Sequence, residues 1–399
     1  MQMKKILTKT LKLFPLALVL GFFGGAVGSL FHLAVDYVTE VREGAVWLIW
    51  LLPVAGVCLA LLYLAVKRFA PLDTDRVIRS AQGEEEVPVV MAPVIFLATV
   101  VSHLFGASVG REGAALQLGG SLGSTLGRAL KLGTEEKRII VMAGMAAVFS
   151  ALFGTPLAAA FFAIEVAVVG NMRYSALLPC ILSSFVAYEV AHWFGVPPVR
   201  FDAVVQPELS LMLIVQVTVL AVLCAGVDVL FCSTIRGAEH LGEKYLKHPV
   251  VRAAVGGAVL VAFTCLVGSH DYNGAGTGVI EAALAGEAHY EAFLLKILFT
   301  AISIAAGFKG GEIVPTFFIG ATFGCVAGGL LGMSPALGAA IGLSCMFCGV
   351  VNCPTASIFL AVELFGGSGV LMFTYACVIA YLFSGRTGLY KSQKVAKEI

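Results

Sequence analysis

The residues best suited to chemistry lie in a glycine-rich stretch at positions 105–121, inside a strongly apolar region. Arg111 and Glu112 stand there between Gly110 and Gly113. A charged side chain at bilayer depth is costly, so it marks a functional site by default. The residues after Gly113 predict a helix, which would place Glu112 at a helix N-terminus, where free amides favour an anion. The pattern predicts transport of a small anion across a membrane, with Glu112 as the gate.

The composition predicts a polytopic membrane protein. Of the 399 residues, 59% are hydrophobic and 13% are charged, whereas soluble proteins carry about 25% charged residues. At about 20 residues per span, the chain could hold on the order of ten helical passes. An intramembrane enzyme would be a different class of function, but the sequence has neither H-E-x-x-H nor G-x-S-x-G. We therefore expect no enzymatic activity.

The net charge and the cysteines predict neither a cofactor nor a metal site. The net charge of +1 and the scattered basic residues give no indication of nucleic-acid binding. The ten cysteines, including the pair Cys345 and Cys348, lie mostly in apolar segments and are predicted to be buried free thiols.

Basic residues near both ends predict cytoplasmic termini, because Lys and Arg are enriched in inside loops. They are Lys4, Lys5, Lys9 and Lys12 at the start, and Arg386, Lys391, Lys394 and Lys397 at the end. The acidic stretch 271–291 has no Lys or Arg and predicts an outside loop. We expect the protein to lie in the plasma membrane in contact with lipid. Because both termini are predicted on the same side, the chain should cross the membrane an even number of times.

Two halves of the chain, residues 1–200 and 201–399, correspond to each other. Three landmarks recur in the same order at offsets of 198 to 200 positions: Glu112 with Glu312, Gly144 with Gly342, and Pro156 through Glu165 with Pro354 through Glu363. The segments 139–153 and 156–169 are short for a crossing and predict broken helices, with a substrate site between the halves. The spacing leaves parallel and inverted repeats open.

Two further groupings of polar residues have structural interpretations. Glu165 and Glu363 stand at equivalent helix ends, where structural pairing is predicted. His32 and Asp36 lie four residues apart, which predicts a hydrogen-bonded pair on one helix face.

These motifs resemble the CLC family of chloride channels and proton-coupled halide antiporters. Residues 110–113 resemble its G-R-E-G-P motif, residues 310–315 stand at its G-x-F-x-P motif, and Gly388-Leu389-Tyr390 resembles the end of its last membrane helix. The resemblance runs from about residue 14 to residue 390. It implies an all-α fold of two inverted repeats, with tilted and broken helices meeting at a central anion site. It also implies a homodimer with one pore per subunit, moving halide and protons.

The resemblance assigns roles to residues. Glu112 would be the gating and proton-carrying glutamate, which blocks the anion path when ionised. The groups implied to hold the anion belong to Gly110, Arg111, Gly113, Ile313, Val314 and Tyr390, through backbone amides and the tyrosine hydroxyl. Such groups bind a halide without the trap that a full positive charge would create.

The chain departs from the family pattern in three places. The family's G-S-G-I-P loop is absent, and residues 72–76 stand near its place, where Thr74 could supply the hydroxyl and Asp73 is expected to face away. Val166 stands where chloride antiporters of the family carry an inner proton glutamate. Glu312 resembles the G-G-E-V-T-P signature of the fluoride-exporting branch and could be a second proton- or anion-coupled residue.

The fluoride resemblance is partial, because the methionine that the fluoride branch has in place of the central serine is absent. Proton-coupled antiport of chloride or fluoride is the predicted function, with a passive voltage- or pH-gated chloride channel as the alternative. Lys309 is either a lysine at the membrane surface or an attractor of anions at the pore mouth.

Overall fold

The computed structural model describes residues 2–201, 210–385 and 387–396, with side chains from residue 13 onward. The tail residues Arg386 and Lys397, and the side chains of the N-terminal lysines, lie outside this description. Within it, seven helical stretches are long and apolar enough to cross a membrane. The predicted polytopic membrane class is confirmed.

The first half of the described chain contains eight α-helices. They are α1 (Gln2–Gly44), α2 (Leu52–Ala65), α3 (Thr74–Gln82), α4 (Met91–Leu104), α5 (Glu112–Ala129), α6 (Thr134–Phe153), α7 (Pro156–Glu165) and α8 (Leu177–Trp193). Short 3₁₀ turns cover Val46–Leu51, Lys67–Phe69 and Tyr174–Ala176, and strand β1 covers Val168–Val169.

The second half repeats this order with eight more α-helices. They are α9 (Leu211–Tyr245), α10 (Pro249–Val267), α11 (Thr277–Leu284), α12 (Ala292–Ala306), α13 (Ile313–Leu330), α14 (Pro335–Val351), α15 (Pro354–Phe365) and α16 (Val370–Ser384). A 3₁₀ turn covers Gly367–Gly369, and strand β2 covers Lys394–Val395.

The predicted breaks in the helices occur at equivalent places. Gly154 after α6 and Asn352 after α14 both adopt left-handed backbone conformations, with φ of 68° and 54°. Pro156 and Pro354 then begin the next helices, where a missing N–H costs nothing. The prediction for α6 was too short, because this helix begins at Thr134 with a charged, capped first turn and runs for 20 residues.

Glycines let the helices around the centre pack backbone to backbone. A Cβ on Gly320 of α13 would lie 2.9 Å from the carbonyl carbon of Gly342 in α14. The equivalent pair in the first half is Gly119 of α5 with Gly144 of α6, where a Cβ on Gly119 would lie 2.6 Å from the carbonyl carbon of Gly144. Small residues at helix crossings allow this close approach within a membrane.

Two glutamates join the broken helices of the two halves. Glu165, the last residue of α7, accepts hydrogen bonds from the amides of Thr355 (3.2 Å) and Ala356 (2.9 Å) at the start of α15. Glu363 near the end of α15 accepts two from the first turn of α7, each 2.9 Å long. The predicted structural role is confirmed, and the reciprocal end-to-start contact matches inverted rather than parallel repeats.

The C-terminal residues return to the first half and position Tyr390. Strand β2 pairs in parallel with β1, so that Lys394 and Val395 stand beside Val168 and Val169. Gln393 donates hydrogen bonds to carbonyl groups from both halves. The tail is therefore held against the end of α7, with Tyr390 directed to the centre.

Candidate anion-binding site

Two glycine-rich loops, one from each half, meet at the centre of the protein. The Gly110 amide donates to the Gly311 carbonyl (2.6 Å) and the Gly311 amide donates to the Gly110 carbonyl (2.7 Å), forming an antiparallel bridge. A Cβ on Gly311 would lie 3.0 Å from the amide nitrogen of Glu112, so a larger residue does not fit. The loops precede α5 and α13, whose N-termini therefore converge.

Glu112 lies between these two helix N-termini and is 0% exposed. Its Oε2 accepts hydrogen bonds from the amides of Arg111 (3.0 Å) and Val314 (3.2 Å). Its Oε1 has no hydrogen-bond partner in the part of the chain that the structure describes. A carboxylate thus occupies the kind of position at which helix N-termini bind anions.

The Arg111 side chain points to another partner. Its guanidinium Nη1 contacts Asp36 Oδ1 at 2.5 Å, and Asp36 Oδ2 also contacts His32 Nε2 at 2.8 Å. The predicted His32–Asp36 pair is confirmed. Only the backbone amide of Arg111 meets Glu112, so an Arg111–Glu112 ion pair does not explain the buried glutamate.

Among the predicted amide donors, Gly110 has a different role from the others. Its amide is engaged with Gly311, so it holds the loops together instead of facing an anion. Gly113 also serves close packing, since a Cβ there would lie 3.0 Å from the Cα of Gly311. Ile313 and Val314 form the first turn of α13, whose amides have no partners within the helix.

A cavity of about 310 Å³ opens beside the bridge. Its charged and polar lining comes from both halves and consists of Asp73, Thr74, Asp75, Gln117, Arg236, Glu239, Lys309, Glu312, Tyr390 and Lys391. The structure therefore brings together Thr74, Glu312 and Tyr390, three residues that sequence reasoning placed at the anion site.

Several of the charges that line this cavity already have protein partners. Lys391 pairs with Glu239 at 2.6 Å. Asp75 Oδ1 accepts hydrogen bonds from the amide and the hydroxyl of Ser392, both at 2.7 Å. The Arg236 guanidinium donates to the Gly388 carbonyl. These contacts hold the tail against α3 and α9, and so they keep Tyr390 at the cavity.

Asp73 and Thr74 have different roles: Asp73 caps a helix, and Thr74 presents its hydroxyl at the cavity. Asp73 Oδ1 accepts from the Arg76 amide (2.8 Å), so this carboxylate caps α3 while its residue borders the cavity. Thr74 Oγ1 accepts from Gln117 Nε2 at 3.1 Å. Sequence reasoning missed Gln117, which is the one side-chain amide in α5 and lies five residues after Glu112. Its Oε1 has no partner among the described residues.

Three other groups at the cavity are less engaged. The Tyr390 hydroxyl is buried without a hydrogen-bond partner in the described chain. Glu312 immediately precedes α13 and is half-buried. Lys309 also lines the cavity, with its Nζ 4.6 Å from the centre of the Tyr63 ring. This position favours the pore over the membrane surface for Lys309.

Val166 occupies the end of α7 and is fully buried. Its carbonyl accepts a hydrogen bond from Gln393 at 3.1 Å, and its side chain is apolar. The place expected for an inner proton glutamate therefore offers no group that could carry a proton.

Relatives and solved structures resemble this chain over nearly its whole length. A chloride/fluoride channel protein of Pseudomonas syringae pv. tomato is 36% identical, over 96% of this chain and 86% of its own length. An H(+)/Cl(-) exchange transporter ClcA of Vibrio campbellii is 26% identical, over 88% of this chain and 81% of its own.

Solved structures show the same arrangement of helices. The crystal structure of a CLC-type fluoride/proton antiporter superposes with a TM-score of 0.93 at 32% identity, covering 96% of this chain and 98% of that one. A slow cyanobacterial Cl-/H+ antiporter superposes with a TM-score of 0.77 at 20% identity, covering 94% of each. The sequence profile of the voltage gated chloride channel family matches residues 58–385. The chain therefore has the CLC fold of inverted repeats and belongs to the voltage gated chloride channel, or CLC, family.

Proposed function

We propose that this protein carries a halide across the membrane in exchange for protons, with Glu112 as the gate. The observation that carries the proposal is the Glu112 carboxylate on the amides of Arg111 and Val314, at the junction of two helix N-termini. The names of the relatives and neighbours, which describe chloride/fluoride channels and halide/proton antiporters, support it.

The gate works by competition for the same donors. Ionised Glu112 accepts charge-assisted hydrogen bonds, which are stronger than neutral ones. When Glu112 takes up a proton, those bonds weaken, and the amides of Arg111 and Val314 become available to a halide. The Tyr390 hydroxyl then supplies a further donor, as does Thr74 when its hydroxyl hydrogen points to the cavity. The proton on Glu112 moves opposite to the halide when the glutamate returns.

Fluoride is the first substrate to test. The solved fluoride/proton antiporter and the Pseudomonas chloride/fluoride channel protein are both more than 30% identical to this chain, and both names include fluoride. Residues 310–312 also resemble the Gly-Gly-Glu of the fluoride branch. In this setting Glu312 is proposed as a second residue coupled to the proton or the anion.

A passive chloride channel is the second candidate. The observation that favours it is Val166, because an apolar residue there removes the proton group expected of chloride antiporters. A channel would let the halide run down its gradient without moving protons.

One experiment separates the two candidates. The purified protein is placed in liposomes, a fluoride or chloride gradient is imposed, and proton movement is followed with a pH-sensitive dye, with protein-free liposomes as the control. Antiport predicts that the halide gradient drives protons uphill. Halide flux without uphill proton movement would refute it and support the channel. A tenfold preference for fluoride corresponds to about 1.4 kcal/mol of differential stabilisation.

The relatives are named as channels and transporters, which supports transport rather than enzymatic activity. We further infer a homodimer with one pore per subunit in the plasma membrane, with both termini in the cytoplasm. In this proposal the two repeats cover residues 1–200 and 201–399. Crosslinking in membranes, and labelling from either side of cysteines introduced near the two termini, would test these assignments.

A further inference from the structure

A second carboxyl group lies deep in the protein, outside the anion site. Asp228 is 0% exposed and stands in the middle of α9, 17 residues from either end (211 to 228 and 228 to 245). The charged end of α9 begins at Arg236, eight residues or about 12 Å further along the helix, so Asp228 lies within the apolar part of α9, towards that charged end. Neither of its side-chain oxygens has a hydrogen-bond partner in the described residues.

The surroundings of Asp228 make room for the carboxyl group but supply no countercharge. A Cβ on Gly349 of α14 would lie 2.7 Å from the carboxyl carbon of Asp228 and 3.0 Å from the Cβ of Ser384 in α16. The titratable groups that face Asp228 in the described chain are thiols, those of Cys224 and Cys232 on α9 and of Cys348 on α14. The helices α12 and α13, which also pack against α9, bring no charged group to Asp228 within the same description.

Asp228 is one helical turn from the cavity of the anion site. Cys232, four residues further along α9, lines that cavity, and so does Arg236 one turn beyond. The rise over four residues is about 6 Å. The cavity reaches solution, because the Lys391 side chain at its edge is 61% exposed. A single thiol-bearing turn therefore separates the buried carboxyl from a water-accessible space.

An isolated carboxylate in apolar surroundings is very costly, so a carboxyl group without partners is stable there when it carries a proton. Ionisable residues inside a membrane protein mark proton relays and ion paths. Asp228 also lies in a protein whose Val166 cannot serve as an inner proton group.

We propose that Asp228 is a proton-binding site of the transport cycle, which exchanges its proton with the central cavity past Cys232. This inference rests on the proposed halide/proton exchange. In the step, an O–H bond of the Asp228 acid breaks and the proton passes to a water molecule of the cavity. The hydronium ion so formed protonates the Glu112 carboxylate and leaves water. A hydronium ion from the bulk solution then restores the Asp228 acid.

The test compares the wild-type protein with Asp228→Asn, which keeps the size and shape of the side chain. Both proteins are placed in liposomes under a fluoride gradient, with halide efflux and proton movement measured in parallel. We expect the ratio of protons to halide to fall at least about tenfold in Asp228→Asn. An unchanged ratio would overturn the proposal.

The matched control is Glu363→Gln. Glu363 is also a partly buried carboxylate within the membrane region, but both its oxygens accept backbone hydrogen bonds from α7. This variant should keep the wild-type ratio of protons to halide. If the ratio of protons to halide fell equally in both variants, the fall would reflect a general disturbance of the fold, and the role of Asp228 would be overturned.

Infrared spectra of the wild type and of the two variants in neutral buffer give a readout that needs no transport. The proposal predicts a carbonyl stretching band of a buried carboxylic acid that is lost in Asp228→Asn and kept in Glu363→Gln. The same band in Asp228→Asn would overturn the assignment. A wild-type protein that moves no protons against a halide gradient refutes the proposed function. Wild-type exchange with an unaltered ratio in Asp228→Asn refutes this inference alone.

Discussion

Replacing Glu112 with glutamine tests the competition between the gate and the anion. In the structure the Glu112 carboxylate holds two amides, at 3.0 Å to Arg111 and 3.2 Å to Val314. Hydrogen bonds to a charged group contribute about 1.5–3 kcal/mol, and neutral ones about 0.5–1.5 kcal/mol. The neutral side chain of Glu112→Gln should therefore hold these amides about 2 kcal/mol less tightly. A halide that competes for them should bind about thirtyfold more tightly.

Isothermal titration of the purified protein with fluoride and with chloride measures this change directly. The control is Glu363→Gln, because Glu363 also accepts two amide hydrogen bonds, each 2.9 Å long, but at the contact of α15 with α7. That variant should bind halide as the wild type does. If Glu112→Gln binds halide no more tightly than the wild type, the carboxylate does not occupy the anion's place and the gating argument is refuted.

Two further substitutions test a ligand and a structural contact. Tyr390→Phe removes a buried hydroxyl that has no partner among the described residues. Because that hydroxyl is proposed to donate to the halide, we expect the halide affinity to weaken by about 1 kcal/mol, or roughly fivefold. The unfolding temperature should not change, because no hydrogen bond within the described protein is lost. Unaltered affinity in titration would exclude this hydroxyl from the anion site. Glu165→Ala leaves the amides of Thr355 and Ala356 without their acceptor. The free energy of unfolding should fall by about 1–3 kcal/mol per amide, which lowers the unfolding temperature. Glu165→Gln should recover part of this loss, because its side-chain oxygen can still accept. Equal unfolding temperatures for wild type and Glu165→Ala would contradict the capping role.

Much of the site was predictable because its signals are local. Glu112 begins α5 as its position among glycines indicated, and Glu312 stands at the equivalent place before α13. The breaks before Pro156 and Pro354 also follow from residue types, since proline begins a helix readily and cannot continue one. The equal spacing of these landmarks in both halves was sufficient to predict the repeat.

Other features of the site depend on contacts between distant segments. Gln117 reaches Thr74 across 43 positions, and nothing near Gln117 in the sequence indicates a polar partner. Arg111 pairs with Asp36, 75 positions away, although Glu112 is its neighbour in the chain. Gly110 was expected to offer an amide to the anion, but its amide meets a carbonyl of the other half.

The buried carboxyl of Asp228 illustrates the same limit. In the sequence it is one acidic residue in a long apolar segment, with no glycine motif or repeated landmark beside it. Its isolation appears only when α14 and α16 pack against α9 and place Gly349 and Ser384 next to it. Whether a buried carboxyl has a hydrogen-bond partner depends on how the helices pack, and the order of residues in the chain does not indicate it.

The sequence by itself determined the membrane class, the repeated halves and the glutamate at a helix start, because hydropathy, helix termini and glycine turns act over a few residues. The tertiary structure decided which amides the Glu112 carboxylate holds. The donor from Val314 lies 202 positions away, and it reaches Glu112 only because the bridge between Gly110 and Gly311 brings two helix N-termini together. Hydrogen bonds act over about 3 Å, so their partners are set by how the halves pack.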